Sequence, residues 1–206
     1  MKLEDIIDGK YEIVNGLVNV IGNVDLSNKN LKKIPFTFGI VAGNFDCSFN
    51  ELTTLKGIPK IIRGYFNCSN NKLKTLEGCP KEVKGSFYCS NNKLTSLKGS
   101  PENVGRSFSC HHNKLTTLEG STKGIGGYFR GYFNCGYNKL TTLKGIPKEI
   151  PGSFYCPHNK LTSLKGGLEK VGGNFYCSHN KLTTLKGLPE EVGGYIDCSY
   201  NPIKKR

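Results

Sequence analysis

The chain has 206 residues and a formal net charge of +13, from 29 Lys and Arg against 16 Asp and Glu. Only 36% of the residues are hydrophobic and Trp is absent, so apolar surface is buried either sparsely or in a very regular pattern. No run reaches the roughly 18 apolar residues of a membrane-spanning helix, and the first residues lack the apolar core of a secretion signal, which predicts a soluble protein.

The first predicted element is a β-hairpin near the N-terminus. Alternating apolar residues flank Asn15-Gly16, a pair that favours the two-residue turn of a hairpin. We interpret residues 1–19 as a cap, because a repeat array must cover the open edge of its first strand. Residues 20–206 are predicted to form a repeat array that makes one domain together with the cap.

Cysteine spacing predicts the architecture of this array. Eight of the nine cysteines recur at intervals of 21 residues, with one interval of 25. They are Cys47, Cys68, Cys89, Cys110, Cys135, Cys156, Cys177 and Cys198. A fixed period of this length is typical of a solenoid. Leu26 takes the cysteine position one step earlier, so the array starts near Val20 and has eight complete turns and a truncated ninth.

Other positions repeat with the same period. Phe or Ile stands two residues before each of these eight cysteines, Asn three after it, and Leu or Ile five after it. After the first seven of them, Leu stands eight residues on and a β-branched residue fifteen residues on. Phe-x-Cys alternates as a short strand does, Asn bends the chain, and Gly and Pro turn it back. Five inward residues per repeat make a continuous core only when the turns stack.

The segment Phe87–Leu97, Phe-Tyr-Cys-Ser-Asn-Asn-Lys-Leu-Thr-Ser-Leu, resembles the leucine-rich-repeat signature L-x-L-x-x-N-x-L-x-x-L. Phe and Cys take the first two Leu positions. The short period and the Pro-x-x-Val approach, as in Pro80–Val83, are similar to the compact bacterial and viral class. The repeats are most similar to leucine-rich-repeat proteins of large tailed phages, and the resemblance extends from Val20 to the end of the chain.

The resemblance implies a leucine-rich-repeat solenoid of mainly β structure with a right-handed coil. A parallel sheet would line the concave face, turns or short 3₁₀ segments would form the convex face, and the asparagines would form a ladder. Because this fold carries many unrelated functions, the resemblance indicates architecture more strongly than activity.

One repeat is longer than the others. Residues 126–133, Gly-Gly-Tyr-Phe-Arg-Gly-Tyr-Phe, contain four residues more than the period allows and resemble a tandem duplication. The extra residues are expected to bulge before the next strand. They are either a tolerated surface insertion or a partner-contacting knuckle that carries Tyr128, Phe129 and Arg130.

The cysteine column is predicted to be reduced and buried. An odd total argues against a complete disulfide set, and strands about 4.8 Å apart hold neighbouring side chains too far apart for a disulfide. A single row of thiols also cannot supply the four convergent ligands of zinc. Cys79, outside the column, is expected to be the most accessible thiol. Many reduced thiols favour a cytoplasmic location, which is the host cytoplasm for a phage protein.

No pattern in the sequence is typical of an enzyme. A catalytic nucleophile needs a base and an orienting group, and no such combination or phosphate-binding glycine loop occurs. His158 and His179 on adjacent turns could give two ligands to a metal, but no carboxylate accompanies them. Stacked surface side chains are therefore the favoured interpretation, and we predict no catalytic residue, metal or other cofactor.

Exposed positions that vary between turns predict a binding surface. Aromatic residues concentrate at these positions in the C-terminal half of the array. The candidates are Tyr88, Tyr132, Tyr137, Tyr155, His158, Tyr176, His179, Tyr195 and Tyr200. Tyr offers a large amphipathic contact area at little entropic cost, as recognition surfaces require. Exposed strand positions also favour Tyr intrinsically, so both explanations stay open.

Lysines repeat beside these aromatic positions. Six of the seven residues four after the cysteines are Lys, including Lys139, Lys160 and Lys181, on the predicted rim of the concave face. Such a row either keeps an open solenoid soluble or attracts an acidic partner.

Together these features favour a non-catalytic module that binds an acidic protein through the concave face and the Lys-rich rim. The phage resemblance suggests a binder or inhibitor of a host protein. The alternative is a nucleic-acid-binding solenoid, in which Lys contacts phosphates and rings stack on bases. Only four Arg occur, and Arg is the usual bidentate reader of bases, which favours the protein partner. We expect no membrane and no small-molecule substrate.

Overall fold

A computed structural model describes residues 1–126 and 131–203 as a solenoid built almost entirely from short β-strands and turns. Within those ranges the single helical element is a 3₁₀ turn at Leu3–Asp5, and no helix is long and apolar enough to cross a membrane. Within the insertion predicted at residues 126–133, the knuckle residues Tyr128, Phe129 and Arg130 lie outside the described ranges.

The N-terminal strands form a hairpin that leads into the solenoid. β1 (Ile7–Val14) pairs antiparallel with β2 (Leu17–Asp25) over its whole length, and Asn15 and Gly16 between them have φ values of 51° and 76°. These positive angles are those of a type I′ turn, as the sequence predicts for this hairpin. Because β2 continues past residue 19, the cap and the first solenoid turn share one strand.

Two parallel ladders of strands start at β2. Its first half pairs with β3 (Phe38–Val41), and its last two residues pair with β4 (Phe45–Asp46). From β4 onward, the Phe-x segment of each repeat adds a two-residue strand, in register with the previous one, to the first ladder. These strands are β6 (Phe66–Asn67), β8 (Phe87–Tyr88), β10 (Phe108–Ser109), β12 (Phe133–Asn134), β14 (Phe154–Tyr155), β16 (Phe175–Tyr176) and β18 (Ile196–Asp197). This ladder is the predicted parallel sheet.

The second ladder uses the β-branched position of each repeat. The sequence predicts this position only as an inward one, but the residue and its predecessor form another two-residue strand. These strands are β5 (Ile61–Ile62), β7 (Glu82–Val83), β9 (Asn103–Val104), β11 (Gly124–Ile125), β13 (Glu149–Ile150), β15 (Lys170–Val171) and β17 (Glu191–Val192). Val and Ile suit this backbone because branched side chains fit a pleated surface. The rest of each described repeat consists of turns without 3₁₀ segments.

The second ladder is interrupted between β11 and β13. At the equivalent position of the next turn, the Gly172 N–H donates to the carbonyl of Ile150 in the preceding turn at 2.8 Å. Pro151 takes this position directly after β13 and has no N–H to donate. The first ladder continues through the same region, since β10 pairs with β12 in register.

The core consists of columns of like side chains lying over one another. The phenylalanines of the first ladder, the column cysteines up to Cys177, and the leucines five residues after them are completely buried. Centroids of successive phenylalanine rings lie 4.9 to 6.1 Å apart, mostly tilted or edge-on, which is favourable for aromatic pairs. Each interior turn therefore depends on both neighbours for its core.

The asparagine three residues after each cysteine links adjacent turns. Asn159 Nδ2 donates to the carbonyl oxygen of Cys135 in the preceding turn at 3.0 Å. Its Oδ1 accepts a hydrogen bond from the Leu140 N–H at 2.9 Å. The same pattern recurs at Asn50, Asn71, Asn92, Asn113, Asn138, Asn180 and Asn201. This asparagine ladder satisfies backbone groups that each bend leaves unpaired.

All nine cysteines are free thiols. From Cys47 to Cys156 in the column, burial raises the pKa of the thiols, which pack as small apolar side chains. Cys79 and Cys198 are partly exposed. The Cys177 Sγ donates a hydrogen bond to the Cys198 Sγ at 2.8 Å, which lowers the pKa of Cys198. Burial instead raises the pKa of Cys79 well above its usual value.

We expect Cys198, rather than Cys79, to react first in the folded protein. The thiolate is the reactive species, and only Cys198 combines partial exposure with a lowered pKa. Titration with a chromogenic disulfide reagent at neutral pH should show one fast-reacting thiol. The fast phase should be lost in Cys198→Ser and should remain in Cys79→Ser. The buried thiols should react only after denaturation. A fast phase that Cys79→Ser abolishes and Cys198→Ser leaves intact would contradict this assignment.

Candidate interaction surface

The predicted tyrosines lie on the outer side of the first ladder. Tyr88, Tyr155 and Tyr176 are the second residues of β8, β14 and β16, where strand alternation turns them away from the buried phenylalanines. Tyr132 and Tyr195 immediately precede β12 and β18 and lie on the same side by the same alternation. Four of the five are partly exposed, and Tyr195 is 66% exposed.

Three of these side chains form a contiguous group, the tyrosine cluster: Tyr132, Tyr155 and Tyr176. The rings of Tyr155 and Tyr176 stack with centroids 4.9 Å apart, while Tyr132 meets Tyr155 edge-on at 6.0 Å. Burial and the neighbouring Tyr88 raise the pKa of Tyr132 to about 12, so its hydroxyl stays protonated. Asn174 Nδ2 donates to the Tyr176 hydroxyl oxygen at 2.9 Å and fixes the end of the cluster.

A second aromatic group, the ring stack, occupies the position two residues after cysteine. Its members are His112, Tyr137, His158, His179 and Tyr200. Each ring stacks on the next with centroids 4.2 to 4.3 Å apart and planes within 16° of parallel. All five side chains are exposed. The rings therefore cover one another's faces and present their edges to solvent.

The backbone explains why these rings lie parallel. The residue at this position has a φ between 52° and 54° in every turn from Phe49 to Tyr200. Such left-handed backbone is uncommon for bulky residues, and the neighbouring asparagine ladder holds it in place. Because the same backbone angle recurs once per turn, successive side chains project in the same direction and stack. Asn70 and Asn91 occupy this position in the N-terminal half, so the stack begins only at His112.

His158 and His179 are not arranged as a metal site. Their rings are almost parallel, and nitrogen lone pairs lie in the ring planes, so the lone pairs run side by side and do not converge. Among the described residues no group of three or more His, Cys, Asp or Glu could hold a metal ion. Desolvation and the nearby His179 and His112 lower the pKa of His158, which favours its neutral form near pH 7.

The predicted lysines form an exposed row beside the ring stack. This lysine row consists of Lys72, Lys93, Lys114, Lys139, Lys160 and Lys181. Each member directly follows an asparagine of the ladder, two residues beyond the ring-stack position. Lys72 pairs with Glu51 at 3.1 Å, whereas the other five form no ion pair with any described residue. The row therefore carries five positive charges without compensation at close range.

Charge differs between the two ends of the first ladder. Its outward positions hold Asp25 in β2 and Asp46 in β4, but tyrosines in β14 and β16. The next acidic residue at an outward position of this ladder is Asp197 in β18. The C-terminal half thus combines neutral rings with a basic border, whereas the N-terminal end of the same face is acidic.

A polar cluster that the sequence does not predict lies at the middle of the array. The His111 Nδ1 is 2.8 Å from the Ser90 Oγ and 2.8 Å from the Ser109 Oγ. This resembles a nucleophile and its base, but both serines are at most 3% exposed, and no described carboxylate bonds to His111. Burial and the neighbouring His112 lower the pKa of His111. The contacts satisfy buried hydroxyl groups within the fold.

A groove of about 760 Å³ opens among the turns, away from the first ladder. Ile58 and Ile146 fill the position eleven residues after cysteine at its two ends, each 7% exposed. The three turns between them carry Cys79, Ser100 and Ser121 at this position, and these smaller side chains leave the space open. The change of residue size in this column is the sequence signal that predicts the groove.

Comparisons with known proteins agree with this architecture. No protein-family model and no curated protein matches the chain. Among solved structures, YopM from Yersinia enterocolitica WA-314 is similar, with a TM-score of 0.56 and 18% sequence identity. The match covers 89% of this chain and 48% of that chain, so this chain spans about half the length of its structural relative.

At this level of identity the similarity shows the fold alone. The chain is a leucine-rich-repeat solenoid of about eight turns with almost no helix, as the sequence predicts. This fold is an open scaffold with an extended surface and carries many unrelated functions.

Proposed function

We propose that the chain binds an acidic protein partner through the tyrosine cluster and the ring stack, with the lysine row steering the approach. The observation that carries this proposal is a set of five lysines that pair with no described carboxylate and lie beside an exposed array of rings. Aromatic rings dominate the energetic centres of protein interfaces, and charges at the rim raise the association rate.

Preorganisation supports the same function. Within the ring stack and within the tyrosine cluster, neighbouring rings already contact each other in the free chain. The side chains therefore lose their conformational entropy on folding, and binding costs little more. The phenolic hydroxyls and the imidazole edges supply hydrogen-bond donors and acceptors at the exposed rim of the rings. An acidic surface would thus meet fixed apolar area, hydrogen-bonding groups and a basic border together.

The repeat sequences favour one kind of partner. From the resemblance to leucine-rich-repeat proteins of large tailed phages that the repeats suggest, we propose a host protein as the target and the host cytoplasm as the location. Binding over an extended face would block whatever the target binds there. Capture of one protein from nuclease-treated bacterial lysate, lost in the variants below, supports this proposal.

The test uses two kinds of variant on the captured partner. Tyr155→Ala and Tyr176→Ala should each weaken binding by about 1 to 2 kcal/mol, chiefly through faster dissociation. Reversal of Lys139, Lys160 and Lys181 to Glu should slow association, and the difference should fade at high salt. Surface plasmon resonance at several salt concentrations measures both rates.

The control is a charge reversal of equal size elsewhere. Lys144, Lys165 and Lys186 are exposed lysines nine residues after cysteine on the same three turns. Their reversal to Glu should change the association rate much less than reversal in the lysine row. Equal effects of the two triple variants would show that net charge alone drives binding and would overturn the role given to the row.

Single-stranded nucleic acid is the other outcome of this test. The ring stack argues against it, because the rings cover one another's faces and leave little face for a base to stack on. Micromolar binding of generic oligonucleotides at physiological salt would reverse this ranking. Its signature is a linear fall of log affinity with log salt, with a slope of about −0.7 per phosphate contacted.

A further inference from the structure

The hairpin that caps the solenoid leaves a strand edge open. β2 pairs along one edge with β1 and along the other with β3 and β4, whereas β1 pairs with no strand of the described chain except β2. β1 is eight residues long, and all of its residues except Ile7 are exposed. A long unpaired edge of this kind is a template for pairing with another strand.

Apolar side chains are exposed along this edge. Tyr11 and Ile13 are 37% and 60% exposed, although they lie opposite Val20 and Val18, which are 2% and 4% exposed. The two side chains therefore extend the core-facing side of β2 outward by one strand. The Tyr11 hydroxyl donates to Glu4 Oε1 at 2.7 Å, while the Tyr11 ring and the Ile13 side chain stay partly open to solvent. A further strand beside β1 would remove this apolar surface from water.

The backbone groups available for pairing follow from the hairpin turn. In a two-residue hairpin the pair that closes the turn, here Val14 and Leu17, exchanges hydrogen bonds. Backbone groups alternate in direction along a strand, so Glu12 and Lys10 also face β2. Tyr11 and Ile13 direct their N–H and C=O groups to the open side.

The charges along β1 are complementary to those of a second, antiparallel copy of β1. If two copies pair antiparallel with Tyr11 opposite Tyr11, Lys10 of each copy lies opposite Glu12 of the other, and both copies present outward backbone groups at the centre. A register centred on Lys10 would place two lysines together and would set Asp8 against Glu12. Charge therefore disfavours the register centred on Lys10. A register centred on Gly9 would set Lys10 against Asp8 but would pair only residues 7–11 of β1, whereas the register centred on Tyr11 pairs residues 8–14 and includes Ile13.

We propose that two copies of this chain associate through antiparallel pairing of β1, which joins their first ladders into one continuous sheet. The partner is a second copy because the open backbone groups, the exposed apolar side chains and the alternating charges match those of the same strand. The contact lies at the opposite end of the array from the tyrosine cluster. Self-association is thus independent of the proposed function.

The experiment is a charge swap followed by sedimentation velocity. At about 100 µM, in the range where weak interfaces associate, the unmodified chain should sediment at twice its 22.7 kDa mass. Lys10→Glu and Glu12→Lys should each weaken self-association by about tenfold, because two attractive cross-strand pairs become repulsive. An equimolar mixture of the two single variants should recover dimers, since both pairs are then attractive again. The double swap within one chain should do the same.

Three results would overturn the proposal. The unmodified chain could stay monomeric at this concentration, or both single variants could still form dimers. The third such result is a mixture of the two variants that stays monomeric. Because Lys10 and Glu12 are exposed, the variants are expected to fold normally, and circular dichroism checks this. Recovery in the double swap separates lost association from lost folding.

Discussion

Replacement of Asn159 by alanine should lower the free energy of unfolding by about 3 kcal/mol in urea denaturation. The side chain is 8% exposed, so water cannot replace its hydrogen bonds. Its loss leaves the Leu140 N–H without its partner and leaves the Cys135 carbonyl oxygen with only the bond from Asn138 Nδ2 at 3.2 Å. Both groups belong to the preceding turn, so the variant weakens the coupling between repeats as well as the repeat itself.

Asn201 provides a matched control in the last described turn. Its Nδ2 donates to the Cys177 carbonyl oxygen at 3.0 Å, as in the other turns, but the side chain is partly exposed. Water can replace part of what Asn201→Ala removes, so about 1 kcal/mol should be lost. Lys160→Ala, beside Asn159, should change stability by less than about 0.5 kcal/mol. Equal losses at Asn159 and Lys160 would show that the inward and outward columns are wrongly assigned.

The largest loss of stability is expected for Phe154→Ala, at about 3 to 5 kcal/mol. The ring is completely buried, with centroids 6.1 Å from Phe133 and 5.4 Å from Phe175. Its removal opens a cavity inside the phenylalanine column, and the two neighbouring turns cannot close it because the first ladder holds their backbones in register. Urea denaturation of the variant measures the loss.

Tyr155 is the control for this prediction because it is the next residue of β14 and lies on the other side of the strand. Tyr155→Ala removes the ring contacts of the tyrosine cluster but opens no cavity, so we expect a loss of about 1 kcal/mol. A larger loss at Tyr155 than at Phe154 would mean that the two faces of the first ladder are interchanged.

The repeating frame is predictable from the sequence because each repeated residue has one physical role. Phe154 and Cys156 alternate with an outward residue, and Asn159 provides both donors and an acceptor for a bend. The period multiplies these weak local signals over eight turns. That is why the first ladder and the stacked core follow from the sequence alone.

The ring stack shows what the period does not reveal. The sequence predicts His158 and His179 as stacked surface side chains, but it does not show that their position has a positive φ. Asn and His tolerate this backbone, but Phe49 and Tyr137 have no such preference, so residue type gives no consistent signal. The angle is imposed by the bend that the asparagine ladder stabilises.

The repeat pattern also does not predict contacts that occur in one turn only. The hydrogen bond from Cys177 to Cys198 arises at the end of the column, where Cys198 becomes partly exposed, and a repeat pattern treats all its members alike. Pro151 is visible in the sequence, but its effect is recognisable only when the second ladder is known, since only then does the missing N–H matter.

The interruption between β11 and β13 has a consequence for the cooperativity of the whole array. In a linear array each junction contributes its own coupling free energy, and within the described residues this junction lacks the backbone bonds of one ladder. The array is thereby divided into an N-terminal and a C-terminal block, which are joined through the first ladder and through bonds such as that from the Thr141 N–H to the Thr116 carbonyl oxygen at 3.2 Å. The tyrosine cluster belongs to the second block and the open edge of β1 to the first. The surface proposed for partner recognition and the edge proposed for self-association thus lie on opposite sides of this junction.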